Sequence, residues 1–315
     1  MNGRRTAVLT IVSGRHDHLR GQLLGLARSR RPPAWHVVAA MGDPGIREVL
    51  DSVPAAEGTR RVVLDVPVAA DGELPLAAAR NAAAGTATAL GADLLVLLDV
   101  DCVPAAGLVA AYEDAADRVV HGPGGVPGPR LFCGPVAYLP PDVRVHEHAD
   151  LDRLPGAAAP HPARPVPEPG EVVRASESQW WLFWSLSFAV TAADWTSFGG
   201  FCEEFRGYGG EDTDVAATVR EAGGALFWVG GAEAFHQHHP TRNPPVQHVA
   251  AILRNGAVFH RRWGWWPMTG WLEQFRAAGL VDYDAATRSW TAATPREVPA
   301  PLAAGPSTAA RSTAS

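Results

Sequence analysis

The first hundred residues constrain the fold most. Thr6–Val12 (TAVLTIV) is a continuous apolar run rich in β-branched residues, as expected of a strand covered on both faces. Leucines at 19, 23, 24 and 26 give the stretch 16–29 helical spacing. Further apolar runs follow at 35–40, at 61–66 and, as LLVLL, at Leu94–Leu98. An alanine-rich stretch of high helix propensity, 76–90, lies between the last two. Strands and helices in alternation predict an α/β fold with a mainly parallel central sheet flanked by helices. Such sheets bind ligands beyond the carboxyl ends of their strands. Ser13, Gly14 and Arg15 fall at one such end, Asp43 at another, and Asp99, Val100 and Asp101 at a third.

Composition removes several function classes. The 315 residues suit one large α/β domain or two small ones. With a formal net charge of -6, no basic surplus marks a nucleic-acid binder. All 27 basic residues are arginine, which excludes a Walker lysine, a Schiff-base lysine and the strand lysine of protein kinases. Cys102, Cys133 and Cys202 are too few for a disulfide framework, lack zinc-ligand spacing and suit a reducing compartment. No apolar run is long enough to span a membrane, and no signal-cleavage pattern follows the start. A soluble, cytoplasmic protein with no integral membrane segment is expected.

The second half is less regular. Glycine and proline crowd 122–141, and 154–170 is Pro/Ala-rich, which predicts a mobile loop or an insertion. The run 180–193 reads as a strand entering a turn. Residues 212–222 read as a helix stopped by Gly223 and Gly224, and 225–229 as a strand. Helices are expected at 246–262 and 268–278, and a disordered tail over 291–315.

Four groups could carry chemistry. Asp99 and Asp101 stand two apart at a strand end, so both carboxylates share a side and can meet a hard divalent cation and its phosphates; two solvated aspartates in a turn read equally simply. In Gly207-Tyr-Gly-Gly-Glu-Asp-Thr-Asp214, the glycines allow close ligand approach, and Glu211 or Asp212 at a helix start could act as a general base. Ordinary helix-start capping is the alternative, and for Asp214 it is the preferred one. His236, His238 and His239 could ligate a transition metal or line a polar loop. Trp263, Trp265 and Trp266 are read as core packing, whereas Trp184 is the better candidate for stacking on a sugar.

Taken in order, LLVLLDVDCVP at 94–104, FGGFCEEFRGYGGEDTD at 198–214 and FHQHHP at 235–240 give the chain a recognisable profile. It resembles the GT-A-fold glycosyltransferases of family 2, and its second half is similar to the carboxyl-terminal segment of β-1,4-galactosyltransferases. The resemblance covers roughly residues 6–280. It implies a Rossmann-like nucleotide-diphospho-sugar transferase fold in a single domain over 1–290, with 6–120 as the nucleotide-sugar half and 175–280 as the acceptor half. It also implies residue roles. Thr10, Val12, Arg15, Asp43, Arg80, Asn81, Asp99, Val100 and Asp101 would hold the nucleotide sugar. Asp101 and His236 would bind the metal with help from Asp99 and His239. Asp212 would be the base. Glu211, with Trp184, Gly209 and Gly210, would meet the acceptor.

The implied activity is inverting, Mn²⁺- or Mg²⁺-dependent transfer of a hexose, from a UDP-sugar by preference, to the hydroxyl of a saccharide or small-molecule acceptor. Two other classes compete. A nucleotidyltransferase also uses strand-end aspartates, but usually carries a basic signature around the triphosphate. A non-catalytic sugar- or nucleotide-binding protein would not need both acidic pairs.

Overall fold

The computed structural model describes residues 4–122 and 126–293. All four predicted strands of the first half form. β1 (Thr6–Val12) leads through α1 (His16–Ala27), β2 (Trp35–Met41), α2 (Ile46–Ser52), β3 (Arg60–Val66) and α3 (Leu76–Ala89) to β4 (Leu94–Leu98). β1 pairs in parallel with β2 and β4, and β2 with β3. β1, β2 and β4 are buried throughout because helices cover both faces, which explains their uninterrupted apolar runs. On one face α3 packs through Ala77, Ala79, Ala83, Ala84 and Ala87. On the other, Leu19, Leu23 and Leu24 of α1 pack with Val12, Val38 and Val103.

The chain continues through β5 (Cys102–Pro104), α4 (Leu108–His121), β6 (Arg130–Cys133), β7 (Val136–Tyr138), α5 (Leu154–Ala157), β8 (Ala159–Pro160), β9 (Val172–Arg174), β10 (Ser187–Thr191) and α6 (Ala192–Phe198). It ends with α7 (Glu211–Glu221), β11 (Ala225–Val229), β12 (Ala234–His236), α8 (Val249–Trp263), α9 (Thr269–Ala277) and the hairpin of β13 (Val281–Asp284) and β14 (Ser289–Ala292). The main sheet runs β3-β2-β1-β4-β10-β6-β11-β9. It is mixed: β10 is antiparallel to β4 and β6, and β9 to β11. A second sheet, β5-β12-β7-β8, stands just past the carboxyl end of β4 and sets His236 opposite Cys102.

Several expectations need correction. Residues 180–193 are not one strand. Ser176 and Gln179 form a reciprocal capping box that starts a 3-10 turn over Glu177–Leu182. The strand begins only at Ser187, and the Thr191 side chain then accepts the Asp194 N–H at 3.0 Å to start α6. The segment 154–170 is seated rather than loose. It supplies α5 and β8, and Gly170 and Gly230 link it to the main sheet through backbone hydrogen bonds. A Cβ on Gly230 would fall on the Glu168 carbonyl, so that approach requires glycine. The helix expected from 246 begins as a 3-10 turn and becomes α-helical at Val249. Of the tail, residues 291 and 292 belong to β14; residues 294–315 lie outside the described residues.

Candidate functional site

The metal side is built by the turn after β4 and the end of β12. Asp101 is buried, and its Oδ2 lies 3.6 Å from His236 Nε2 and 3.4 Å from His239 Nε2. One ligand atom from each of the three residues lies within 4.8 Å of the others. One carboxylate and two imidazoles form a donor set for a divalent transition-metal cation rather than for Mg²⁺, which takes oxygen ligands. His238 is not part of this triad; its carbonyl accepts from His18 Nε2 at 3.4 Å. Burial pushes the Asp101 pKa up, but the bond from His239 and the charges of His236 and Arg15 outweigh it and hold the carboxylate below its ordinary range. Burial also lowers the His236 pKa, which favours the neutral imidazole a metal needs. Arg15 donates to Asp101 at 3.0 Å from a left-handed backbone, φ 50°, at the start of α1. Such a conformation costs on the order of 1–3 kcal/mol in a non-glycine residue.

The base side is built by α7 and the segment before β10. Ser185 donates from Oγ to Asp212 Oδ1 at 2.6 Å and from its N–H to Oδ2 at 3.2 Å. Burial and the adjacent Asp212 charge push the Glu211 pKa up to about 7 despite Arg80. Arg80 joins the two sides: it donates to Asp99 Oδ1 at 3.1 Å and lies 3.7 Å from Glu211 Oε1. Burial raises the Asp99 pKa to about 6, with Arg80 opposing and Asp101 and Asp212 adding. The two acidic clusters therefore adjoin one shared buried guanidinium.

The residues expected at the nucleotide divide into two groups. Arg15 and Arg80 pair with the acids of the turn after β4, Arg15 with Asp101 and Arg80 with Asp99. Asp43 accepts from the Gly14 and Gly45 N–H groups and pairs with His16 at 2.9 Å; the His16 bond, with the two N–H bonds, holds its pKa low against burial. Thr10 and Val12 have buried side chains, because helices cover both faces of β1. Val100, half-buried, packs against the core cluster that holds Val12. Asn81 is spent on structure: it donates to the Phe201 carbonyl at 2.8 Å and to Glu203 at 2.9 Å, and accepts from the Phe201 N–H.

Thr10 has an indirect role instead. Its hydroxyl donates to Gln22 Oε1 at 2.8 Å and lies 3.1 Å from His36 Nε2. Gln22 in turn donates to the carbonyls of Asp99 at 2.8 Å and Cys102 at 3.2 Å, gripping the acidic turn from behind. Gln22 is itself fully buried among the leucines of α1. Asn255 does the same for the glycine loop, donating to the carbonyls of Arg206, Tyr208 and Gly209. Gly209 and Gly210 have φ of 96° and 93°, and a Cβ at Gly209 would stand 2.9 Å from Met268 Sδ. Asp214 is structural, accepting from Arg262 Nε and Trp263 Nε1, each at 2.7 Å. Trp266 donates to the Arg288 carbonyl, consistent with packing. Trp184 is half-buried, with His161 edge-on at 4.8 Å.

Comparison with known structures places this architecture. The GalNAc-T7 crystal structure with UDP, GalNAc and Mn²⁺ matches 76% of this chain and 44% of its own, at 14% identity and TM-score 0.50. The structure of S. aureus TarS 1–349 with UDP-GlcNAc matches over 86% of this chain and 76% of its own, at 8% identity and TM-score 0.53. The fold is that of the GT-A glycosyltransferases. Within this GT-A chain, residues 175–240 match the family model described as the N-terminal domain of galactosyltransferase. That stretch holds Trp184, Ser185, the glycine loop, Glu211, Asp212 and the histidine triad partners. The chain spans less than half the length of the GalNAc-T7 chain it matches. A search of curated protein sequences returned no significant match.

Proposed function

We propose that this GT-A protein is an inverting, divalent-metal-dependent glycosyltransferase that moves a hexose from a UDP-sugar to an acceptor hydroxyl. The observation that supports the reading is Arg80, which lies against both Asp99 and Glu211 and so links the two acidic clusters. Residues 6–120 are read as the nucleotide-sugar half and 175–280 as the acceptor half of one domain.

Asp101, His236 and His239 are the residues that would hold the cation. When bound, a cation there supplies Lewis-acid neutralisation of the departing diphosphate. Asp212, oriented by Ser185, takes the proton from the acceptor hydroxyl, whose oxygen attacks the anomeric carbon opposite the leaving group; that geometry inverts configuration. Glu211, titrating near neutrality, exchanges hydrogen bonds with acceptor hydroxyls. Arg80 sets the separation of the two carboxylate groups and limits their repulsion. Two neighbours whose structures were determined with UDP or UDP-GlcNAc support the choice of UDP. Among the described residues no helix is long and apolar enough to cross a membrane, and the three cysteines are unpaired, which supports a cytoplasmic location.

A thermal-shift screen of UDP-, GDP- and dTDP-sugars, with and without Mn²⁺, tests the reading. Stabilisation by a UDP-sugar that depends on Mn²⁺ is expected. No stabilisation by any nucleotide sugar would reject it.

A further inference from the structure

The segment 154–170 brings one arginine between two tryptophans. Arg164 is only 6% exposed, and its Cζ lies 5.2 Å from the ring centroids of both Trp184 and Trp228. Its Nε and both terminal nitrogens are buried without a hydrogen-bond partner, and so is Trp228 Nε1. Stacking between two indoles favours the cation. It leaves the N–H groups unsatisfied and the charge unopposed, which is costly in a buried setting. The arginines of the site are already committed, Arg15 to Asp101 and Arg80 to Asp99 and Glu211. Among the described residues no carboxylate forms an ion pair with Arg164.

This cluster of donors adjoins both halves of the site. Trp184 directly precedes Ser185, the residue that holds Asp212. On the other side His161 meets Trp184 at 4.8 Å and Tyr138 at 6.2 Å, and Tyr138 lies 4.9 Å from the His236 ring. A planar guanidinium with an indole N–H beside it matches an oxyanion in both hydrogen-bond count and charge. Water would satisfy the donors but not the charge.

We propose that Arg164 and the Trp228 indole form an oxyanion receptor beside Trp184, taking a phosphate or carboxylate group carried by a substrate. The proposal rests on the transferase reading for the source of the anion: the donor's diphosphate, or a carboxylate on the transferred sugar.

Arg164→Met keeps the stem between the indoles and removes the charge; Trp228→Phe keeps the ring and removes one donor. Calorimetry with inorganic phosphate alone, and with UDP, UDP-glucose and UDP-glucuronate in Mn²⁺, separates the outcomes. If the anion is the diphosphate, R164M weakens UDP and UDP-glucose alike by roughly tenfold or more, with a smaller loss in W228F. If it is a sugar carboxylate, only UDP-glucuronate weakens. If the wild-type protein binds no nucleotide, the transferase reading fails, while phosphate binding that R164M abolishes keeps the receptor. Wild-type and R164M proteins, both folded by circular dichroism, that respond alike to all four probes would overturn the proposal and leave Arg164 as a cation–π clamp.

Discussion

Ser185 engages both carboxylate oxygens of Asp212, one through its hydroxyl and one through its backbone N–H. The carboxylate is thereby fixed in rotation, while each oxygen keeps a lone pair for an acceptor hydroxyl. Asp212→Asn is expected to keep donor affinity and to lose transfer by roughly 10²–10⁴-fold. Ser185→Ala should lose less, with the donor KM unchanged. Initial rates of UDP release, paired with calorimetry, decide this; normal turnover by D212N would place the base elsewhere.

Asp101 is the shared member of the histidine triad, so its loss should exceed that of either imidazole. Asp101→Asn is expected to abolish Mn²⁺-stimulated UDP binding. His236→Ala and His239→Ala should each shift the Mn²⁺ titration to higher concentration, by about 10–100-fold. A His238→Ala control should titrate as wild type. Equal titrations for all three histidine variants would reject the assignment.

Gln22 touches neither substrate nor metal, but it holds the carbonyls of the acidic turn. Gln22→Met fills the same volume and leaves those acceptors buried without a donor, at about 1–3 kcal/mol. Weaker Mn²⁺ binding is expected as well, because the turn carrying Asp101 loses its grip. A stability loss with an unchanged Mn²⁺ affinity would confine Gln22 to the core.

His36 supplies a pH signature in stability. Burial, with a contribution from Arg61, lowers its pKa from 6.5 to about 3, so the folded ring stays neutral. Between these values the unfolded chain binds a proton the folded chain does not. The contribution is complete above about pH 6.5 and is lost as pH falls, by about 1.4 kcal/mol per unit. The raised carboxyls of Asp99 and Glu211 act in the opposite direction, so the comparison must be with His36→Gln. Urea midpoints at about pH 7 and about pH 5 should fall further for the wild type than for H36Q. Parallel losses would mean that His36 is protonated in the fold.

Asn255 ties down three carbonyls of the glycine loop from α8. Asn255→Leu is expected to destabilise by about 1–3 kcal/mol and to raise the KM for the acceptor more than that for the donor. Unchanged acceptor kinetics would show that the loop keeps its shape unaided.

The first half of the fold could be read from the sequence because each element there has one dominant cause. Buried parallel strands need unbroken apolar runs, and α3 needs small residues to lie against them. The burial of Thr10 and Val12 is not legible in the sequence position by position, because a run apolar on both faces carries no alternation to show which way a side chain points. The break between the turn at Glu177–Leu182 and the strand at Ser187–Thr191 was hidden for the same reason. Asp99, Asp101, Glu211 and Asp212 stand out in the sequence as candidates because acids cluster at element ends. Ser185, Gln22 and Asn255 act through bonds to residues 27, 77 and 46 positions away, beyond the reach of any local pattern. Arg164 was overlooked because proline and alanine around it suggest a linker, whereas one glycine on β11's far side, Gly230, is what seats that stretch.

The reversed strand β10 has a consequence for what the cleft can accommodate. Ser187 pairs with Leu98, and the Leu186 carbonyl accepts the Asp99 N–H at 2.9 Å, so the residues that precede this strand and those that follow β4 share one rung. On the proposed mechanism, the rung is a fixed ruler between the turn that carries Asp101 and the segment that carries Ser185. A broader range of acceptors would have to evolve through the covering segments, since lengthening the gap means breaking the sheet at its centre.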